Sequence, residues 1–304
     1  MSKINEAGDL LHNALSGKGK EDAVFDVITN NNLDERLAIC EYFQDRYKQN
    51  LYEDLKDKLS GNFKDVAINL FLDPIDYKAK MLKKGMRGFS ADEVVIIETL
   101  TLHTQEELRA IEEAYKEETN RELSKDIEKN FSGIMKRTLL NLLYTPRNKN
   151  KIPDHNHCQN LANILVEAGE SNWTDNENIF RDVFITSSGE ELVLISRYYY
   201  EKTGKNILEV IENKLSGESK MLLREVIYNN IIPCELFAEK IYLSCKGLGT
   251  NNNLLNRVLV SRSSIDMQDI RDAYKCKYGN TMRKDVADDT SGIYQELCVY
   301  LCQI

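Results

Sequence analysis

The sequence predicts an all-α chain of four similar units, and three observations carry that expectation. A short signature recurs as Leu59-Ser60-Gly61, Phe131-Ser132-Gly133, Leu215-Ser216-Gly217 and Thr290-Ser291-Gly292, with glycines 72, 84 and 75 residues apart. Self-similarity of this kind marks a repeat architecture. All four prolines (Pro74, Pro146, Pro153, Pro233) fall between the repeated units, where a residue without an N–H stops a helix. Inside each unit apolar residues recur at i, i+3 and i+4, as in Val24, Phe25, Val27 and Ile28 or Leu254, Leu255, Val258 and Leu259. No segment alternates convincingly at period two.

The elements follow in order. Residues 1–8 read as a short N-terminal tail, 9–73 as repeat 1, 74–143 as repeat 2, 144–158 as a linker, 159–231 as repeat 3 and 232–304 as repeat 4. Breaks at Gly, Ser and Asn divide each repeat into about five short helices. Helix starts are marked by Ser/Thr-x-x-Glu/Asp boxes at Ser90/Glu93, Thr104/Glu107, Thr174/Glu177, Ser188/Glu191 and Ser263/Asp266, where a hydroxyl can accept from the third helical N–H. A glycine loop precedes the signature by 44–45 residues in three repeats: Gly17-Lys18-Gly19, Gly88-Phe89-Ser90 and Gly247-Leu248-Gly249. Repeat 3 has Asn172-Trp173-Thr174 at the matching place. The polar linker explains the wider spacing of 84 and is expected to join two pairs of repeats.

Composition narrows the function classes. The 304 residues are 42% hydrophobic, enough for a sizeable core. A net charge of −9 argues against nucleic acid as partner and against simple electrostatic attachment to anionic lipid. The segment from Cys234 to Ile304 holds nine Lys/Arg and nine Asp/Glu, so residues 1–233 carry the whole excess. The seven cysteines show no framework spacing, the first residues contain no apolar signal core, and no apolar run approaches a membrane span. The expectation is a cytoplasmic protein with reduced thiols.

The stretch Cys245-Lys246-Gly247-Leu248-Gly249-Thr250, with Asp289 forty residues beyond Gly249, is the strongest candidate site. Two glycines one residue apart let a loop take positive φ and turn its carbonyls inward. The carbonyls of Cys245, Gly247 and Gly249 can point at one cation, and the Asp289 carboxylate can close the shell. That makes five hard oxygens toward the roughly 6–8 that Ca²⁺ prefers, on two separate loops rather than the twelve-residue EF-hand.

The Lys-Gly-Leu-Gly-Thr loop, Ser261-Arg262-Ser263 and Asp289-Thr290-Ser291-Gly292, with four units of about seventy residues, resemble the annexin family over the whole chain. Repeat 4 matches closely, and the erosion of the others resembles protist members such as the alpha-giardins. The resemblance implies a curved disc with the glycine loops on its convex, membrane-facing side, and binding to acidic phospholipid through Ca²⁺ shared between loop carbonyls and lipid phosphate. Carried over residue by residue, it gives one complete site (Cys245, Gly247, Gly249, Asp289) and three degenerate ones. Repeat 1 keeps Gly17 and Gly19 but has Lys58 at the acidic position and a shorter loop. Repeat 2 has Gly88, with Ser90 for the second glycine and Asn130 for the carboxylate. Repeat 3 has Asn172 and Thr174 in the loop and Lys214 at the acidic position. Lys58 and Lys214 either swing their ammonium groups into the vacant cation positions or stay solvated. Leu248 and Trp173, at loop tips, are the expected membrane contacts; the alternative for Trp173 is an indole packed under its loop.

Other constellations are weaker. Asp154, His155, His157 and Cys158 have metal-ligand chemistry but no second ligand cluster, so they read as solvated linker residues. Cys298 and Cys302 share a helix face as buried thiols. Gly17-Lys18-Gly19-Lys20 lacks phosphate-loop spacing, no Gly-x-Ser-x-Gly occurs, and the four histidines pair with no nucleophile, so an enzyme is not expected. Two functions compete: Ca²⁺-dependent attachment to acidic membranes, peripheral on their inner face and with scope for self-association there, or a largely Ca²⁺-independent scaffold on cytoskeletal filaments. Repeat 4, with every ligand present, favours the first.

Overall fold

The computed structural model describes residues 2–17, 19–86, 92–149 and 152–303, and among them there are twenty α-helices and no strand. Repeat 1 comprises α1 (Lys3–Leu15), α2 (Lys20–Asn30), α3 (Leu33–Tyr47), α4 (Leu51–Lys58) and α5 (Gly61–Ala67). Repeat 2 comprises α6 (Pro74–Gly85), α7 (Glu93–Leu102), α8 (Gln105–Thr119), α9 (Leu123–Asn130) and α10 (Gly133–Tyr144). Repeat 3 comprises α11 (His155–Ala168), α12 (Glu177–Ile179, running into a π-helix at Phe180–Ile185), α13 (Gly189–Thr203), α14 (Ile207–Lys214) and α15 (Gly217–Ile231). Repeat 4 comprises α16 (Pro233–Cys245), α17 (Asn252–Arg262), α18 (Met267–Tyr278), α19 (Met282–Asp289) and α20 (Gly292–Leu301).

Local chemistry explains the boundaries. Pro74 and Pro233 open α6 and α16, the position where the missing N–H costs nothing. The recurrent Ser-Gly pair is the entry to each fifth helix: Gly61, Gly133, Gly217 and Gly292 all take φ between 57° and 65°, which a β-carbon disfavours. The capping boxes expected at Thr104/Glu107 and Ser188/Glu191 form, and an unpredicted third forms at Asn32/Glu35. At the other expected boxes Ser90 lies outside the described residues and Asp92 caps α7, Asn176 caps α12 in place of Thr174, and Asp266 stands at the N-cap position of α18 without a side-chain capping bond.

The chain forms two compact units. One is discontinuous, Met1–Pro74 with Cys234–Ile304, and the other is Ile75–Pro233. In the first, α2, α5, α17 and α20 pack together, and Tyr300 donates to the Thr29 carbonyl at 3.0 Å. In the second, α7 packs on α15 and α11 on α13, around a continuous core that includes Ile96, Leu139, Trp173, Phe184 and Leu223. The pairing therefore corrects the expected role of the linker: it joins repeats 2 and 3 inside one unit, while repeats 1 and 4 build the other. Linker residues are partly structured: Asn148 N–H donates to the Thr186 carbonyl at 2.6 Å and its amide to Glu191 Oε1 at 2.6 Å. His155–Cys158 belong to α11, and residues 3–8, expected as a tail, begin α1, because Ser2 caps that helix by accepting from Asn5 N–H.

Candidate metal centre

The repeat-4 loop runs between α16 and α17. Cys245 ends α16, so its carbonyl is one of the four at a helix C-terminus with no intrahelical partner. Gly247 and Gly249 have φ of 115° and 82°, and a β-carbon at either would be strained by the backbone although open space surrounds it. Two hydrogen bonds fix the loop: Asn251 N–H to the Ser244 carbonyl at 2.7 Å, and the Thr250 hydroxyl to the Asp289 carbonyl at 2.6 Å. The second ties the glycine loop to the end of α19, where the candidate carboxylate sits. Thr250 has this bridging role although its sequence position marked it only as part of a motif.

The donor chemistry fits a hard cation. Among the described residues, the Gly247 and Gly249 carbonyls accept no hydrogen bond, and Asp289 Oδ2 is buried without a hydrogen-bond partner. A buried carboxylate oxygen left unpaired is costly, and a Ca²⁺ ion is the ligand such oxygens suit. Burial pushes the Cys245 thiol up to about 11, with the Asp289 and Asp285 charges acting the same way, so the sulfur stays neutral and the residue's contribution is its carbonyl. At the loop tip Leu248 is fully exposed, at 108% of its reference area. Ser261, Arg262 and Ser263 are buried: Arg262 pairs with Asp266 at 2.8 Å and lies over Phe237, bracing the corner from α17 to α18.

The degenerate positions differ. In repeat 1, Gly19 takes φ 78° as the residue before α2 and Gly17 does not have positive φ; Lys58 is exposed at the end of α4. In repeat 2, Gly88 lies outside the described residues, and the Asn130 amide points to Met86 Sδ at 3.9 Å. Asp92 N–H closes that loop on the Gly85 carbonyl at 2.9 Å, as Asn251 does in repeat 4. In repeat 3, Lys214 is exposed and Thr174 donates to Ser219 Oγ at 2.7 Å. Neither lysine hydrogen-bonds a loop carbonyl among the described residues.

Trp173 requires a correction. It is 0% exposed, packed against Phe184 and edge-on to Tyr199 at ring distances of 5.9 and 5.4 Å. Its indole N–H donates to the Leu165 carbonyl at 3.0 Å, and the neighbouring Asn172 amide donates to the Ala168 carbonyl at 2.7 Å. Both carbonyls lie in the last turn of α11, so Trp173, read as membrane-facing, turns inward to satisfy a helix end, while Asn172 caps the same turn from the exposed side. Of the two expected membrane contacts, Leu248 alone presents itself to solvent. His155 bonds the Tyr198 hydroxyl at 2.7 Å and Cys158 is buried, and among the described residues no three His, Cys, Asp or Glu side chains cluster as a metal site. No helix among them is long and apolar enough to cross a membrane.

The annexin family model matches residues 6–70, 77–142, 161–226 and 236–301. The chain is 34% identical to human annexin A13 over 297 residues, covering 96% of the chain and 92% of that protein. It is 34% identical to chicken annexin A6 over 300 residues, 98% of the chain, and spans about half (45%) of that longer protein. The solved structure of annexin III aligns with a TM-score of 0.92 at 31% identity, covering 99% of this chain and 94% of that one. Calcium-bound alpha-14 giardin, at 16% identity and a TM-score of 0.83 over 99% of this chain and 100% of its own, shares the fold. Four matched repeats, the five-helix architecture and the identity to annexin relatives agree: this chain belongs to the annexin family.

Proposed function

We propose that this protein attaches to acidic phospholipid membranes in a Ca²⁺-dependent manner through the repeat-4 loop. The family generally binds phospholipid with Ca²⁺; the finer reading, that this loop does so here, rests on one observation. Asp289 Oδ2, buried and unpaired, sits on the turn that Thr250 ties to a loop whose glycine carbonyls are also unpaired. Cys245, Gly247 and Gly249 would hold the ion by carbonyl and Asp289 by carboxylate. A bound Ca²⁺ supplies a dication that can be shared with lipid phosphate. The chain's own part is to hold the oxygens preorganised, so that little ordering cost remains at binding, and to present Leu248 to the acyl boundary. With one complete loop, the avidity that several loops would supply is missing; linked sites can raise affinity by ~10²–10⁴, so a single molecule should need high Ca²⁺ or assembly with further copies.

Co-sedimentation with phosphatidylserine vesicles across a free-Ca²⁺ titration tests this. Pelleting is expected only with Ca²⁺, and Asp289→Ala should raise the Ca²⁺ required by about 10–100-fold, the scale seen when even an outer-shell metal partner is removed. Full retention of pelleting in that variant would sink the assignment. Exposed lysines at two acidic positions, Lys58 and Lys214, favour a second reading, a scaffold bound to cytoskeletal filaments without Ca²⁺; no pelleting even at saturating Ca²⁺, with filament binding in EDTA, would select it.

A further inference from the structure

Repeats 2 and 4 run in one register from Pro74 and Pro233 to Gly133 and Gly292, so their corners can be compared position by position. In repeat 4 the space beside the end of the first helix is filled by Tyr242 stacked on Tyr278, 3.9 Å between ring centres and 7° from parallel. Repeat 1 fills the same corner with His12 stacked on Tyr47 at 3.7 Å and 2°. In repeat 2 the matching residues are Lys83 and Thr119, and a cavity of about 590 Å³ remains, walled by these two with Glu118, Arg121, Asp126 and Lys129.

The charges in that corner are also reversed. Where repeat 4 carries Asn280, Asp285, Asp288 and Asp289, repeat 2 carries Arg121, Asp126, Lys129 and Asn130. Both acids of the cavity are already engaged. Glu118 binds Lys83 at 2.6 Å and Lys80 at 3.1 Å, and Asp126 accepts from the Tyr115 hydroxyl at 2.5 Å and faces Arg121 at 3.2 Å. Lys83 uses two of its three N–H donors on the Glu118 carboxylate and carbonyl, and Lys129 pairs with no acid among the described residues. Three cations, Lys83, Arg121 and Lys129, thus line a partly enclosed recess with two carboxylates that already have partners. Such a recess disfavours Ca²⁺ and suits a compact dianion with several acceptor oxygens.

We propose that the repeat-2 cavity binds a phosphate-bearing anion directly, without Ca²⁺, with Lys83, Arg121 and Lys129 as donors. A phospholipid head group and a free phosphate ester share that chemistry; only the lipid source rests on the membrane reading above.

The test measures binding of inorganic phosphate to the whole chain in EDTA by calorimetry. The wild type is compared with Lys129→Glu, with Lys83→Tyr/Thr119→Tyr, which installs the tyrosine pair of repeat 4, and with Asp289→Ala. The first two should weaken phosphate binding about tenfold or more, the value of one hydrogen bond between charged groups, and Asp289→Ala should bind phosphate as the wild type does even if it no longer pellets with Ca²⁺. Pelleting on phosphatidylserine vesicles in EDTA, competed by inorganic phosphate, would assign the lipid head group; phosphate binding without such pelleting would assign a soluble ester. Lys129 is exposed, so its variant should fold whatever happens to the double one. No phosphate uptake by the wild type, or equal uptake by Lys129→Glu, would overturn the proposal.

Discussion

Removing the Trp173 side chain tests whether the repeat-3 loop is a membrane probe or a helix cap. The indole is fully buried among Phe184 and Tyr199, and its N–H is the partner of a carbonyl in the last turn of α11. Trp→Ala in a core costs about 3–5 kcal/mol through lost burial and the cavity left behind. Trp173→Phe keeps most of the ring but leaves the Leu165 carbonyl without its donor, which costs about 1–2 kcal/mol. In a domain of this size each kcal/mol lowers Tm by about 2–4 °C, so Trp173→Ala should melt roughly 10 °C lower. Thermal and urea unfolding followed by circular dichroism measure both variants, and iodide quenching of the wild-type protein without Ca²⁺ measures indole access. A loss under about 1 kcal/mol for Trp173→Ala, or quenching as efficient as for free tryptophan amide, would refute the buried-cap account.

Other outcomes follow from the same geometry. Gly249→Ala places a β-carbon at φ 82°, a strain of about 1 kcal/mol confined to an exposed loop; Tm should barely change while the Ca²⁺ needed for pelleting rises, and unchanged Ca²⁺ dependence would remove this carbonyl from the ligand set. In thiol titration of the native protein Cys276, the exposed cysteine, should react first, whereas Cys158 and Cys298, pushed by burial up to about 11 and about 12, should react only on unfolding. Hydrogen bonds from Lys83, then Lys80, hold the Glu118 carboxyl below its ordinary 4.5. A depressed folded-state value stabilises above the unfolded value and is lost as pH falls through the folded one, so Glu118→Gln should lose that stabilisation at neutral pH, show a flatter acid limb below about pH 4.5, and converge with the wild type at the acid end when urea unfolding is followed against pH.

The parts of the fold legible in the chain are those set by contacts close in sequence. Ser-Gly at 60–61, 132–133, 216–217 and 291–292 marks each fifth helix because only glycine takes positive φ there easily. The proline junctions and the capping boxes at Thr104 and Ser188 were readable for similar local reasons. Asn32 also caps with Glu35, and a rule admitting asparagine as well as serine and threonine would have found it.

The sequence alone thus determined the helical class and the four repeats, and it singled out the loop with Asp289 as the candidate ligand set. Tertiary structure alone decided the rest, because it depends on which surfaces meet. Repeats 1 and 4, distant in the chain, form one unit because α2 and α5 pack with α17 and α20. Trp173 faces inward because α11 ends with carbonyls that need donors. Lys83 borders a cavity, although its counterpart Tyr242 fills one, because the residue opposite it is Thr119 and not a second tyrosine. Local propensity sees one residue at a time; a cavity, a cap across a loop and a repeat pairing each require two distant ones.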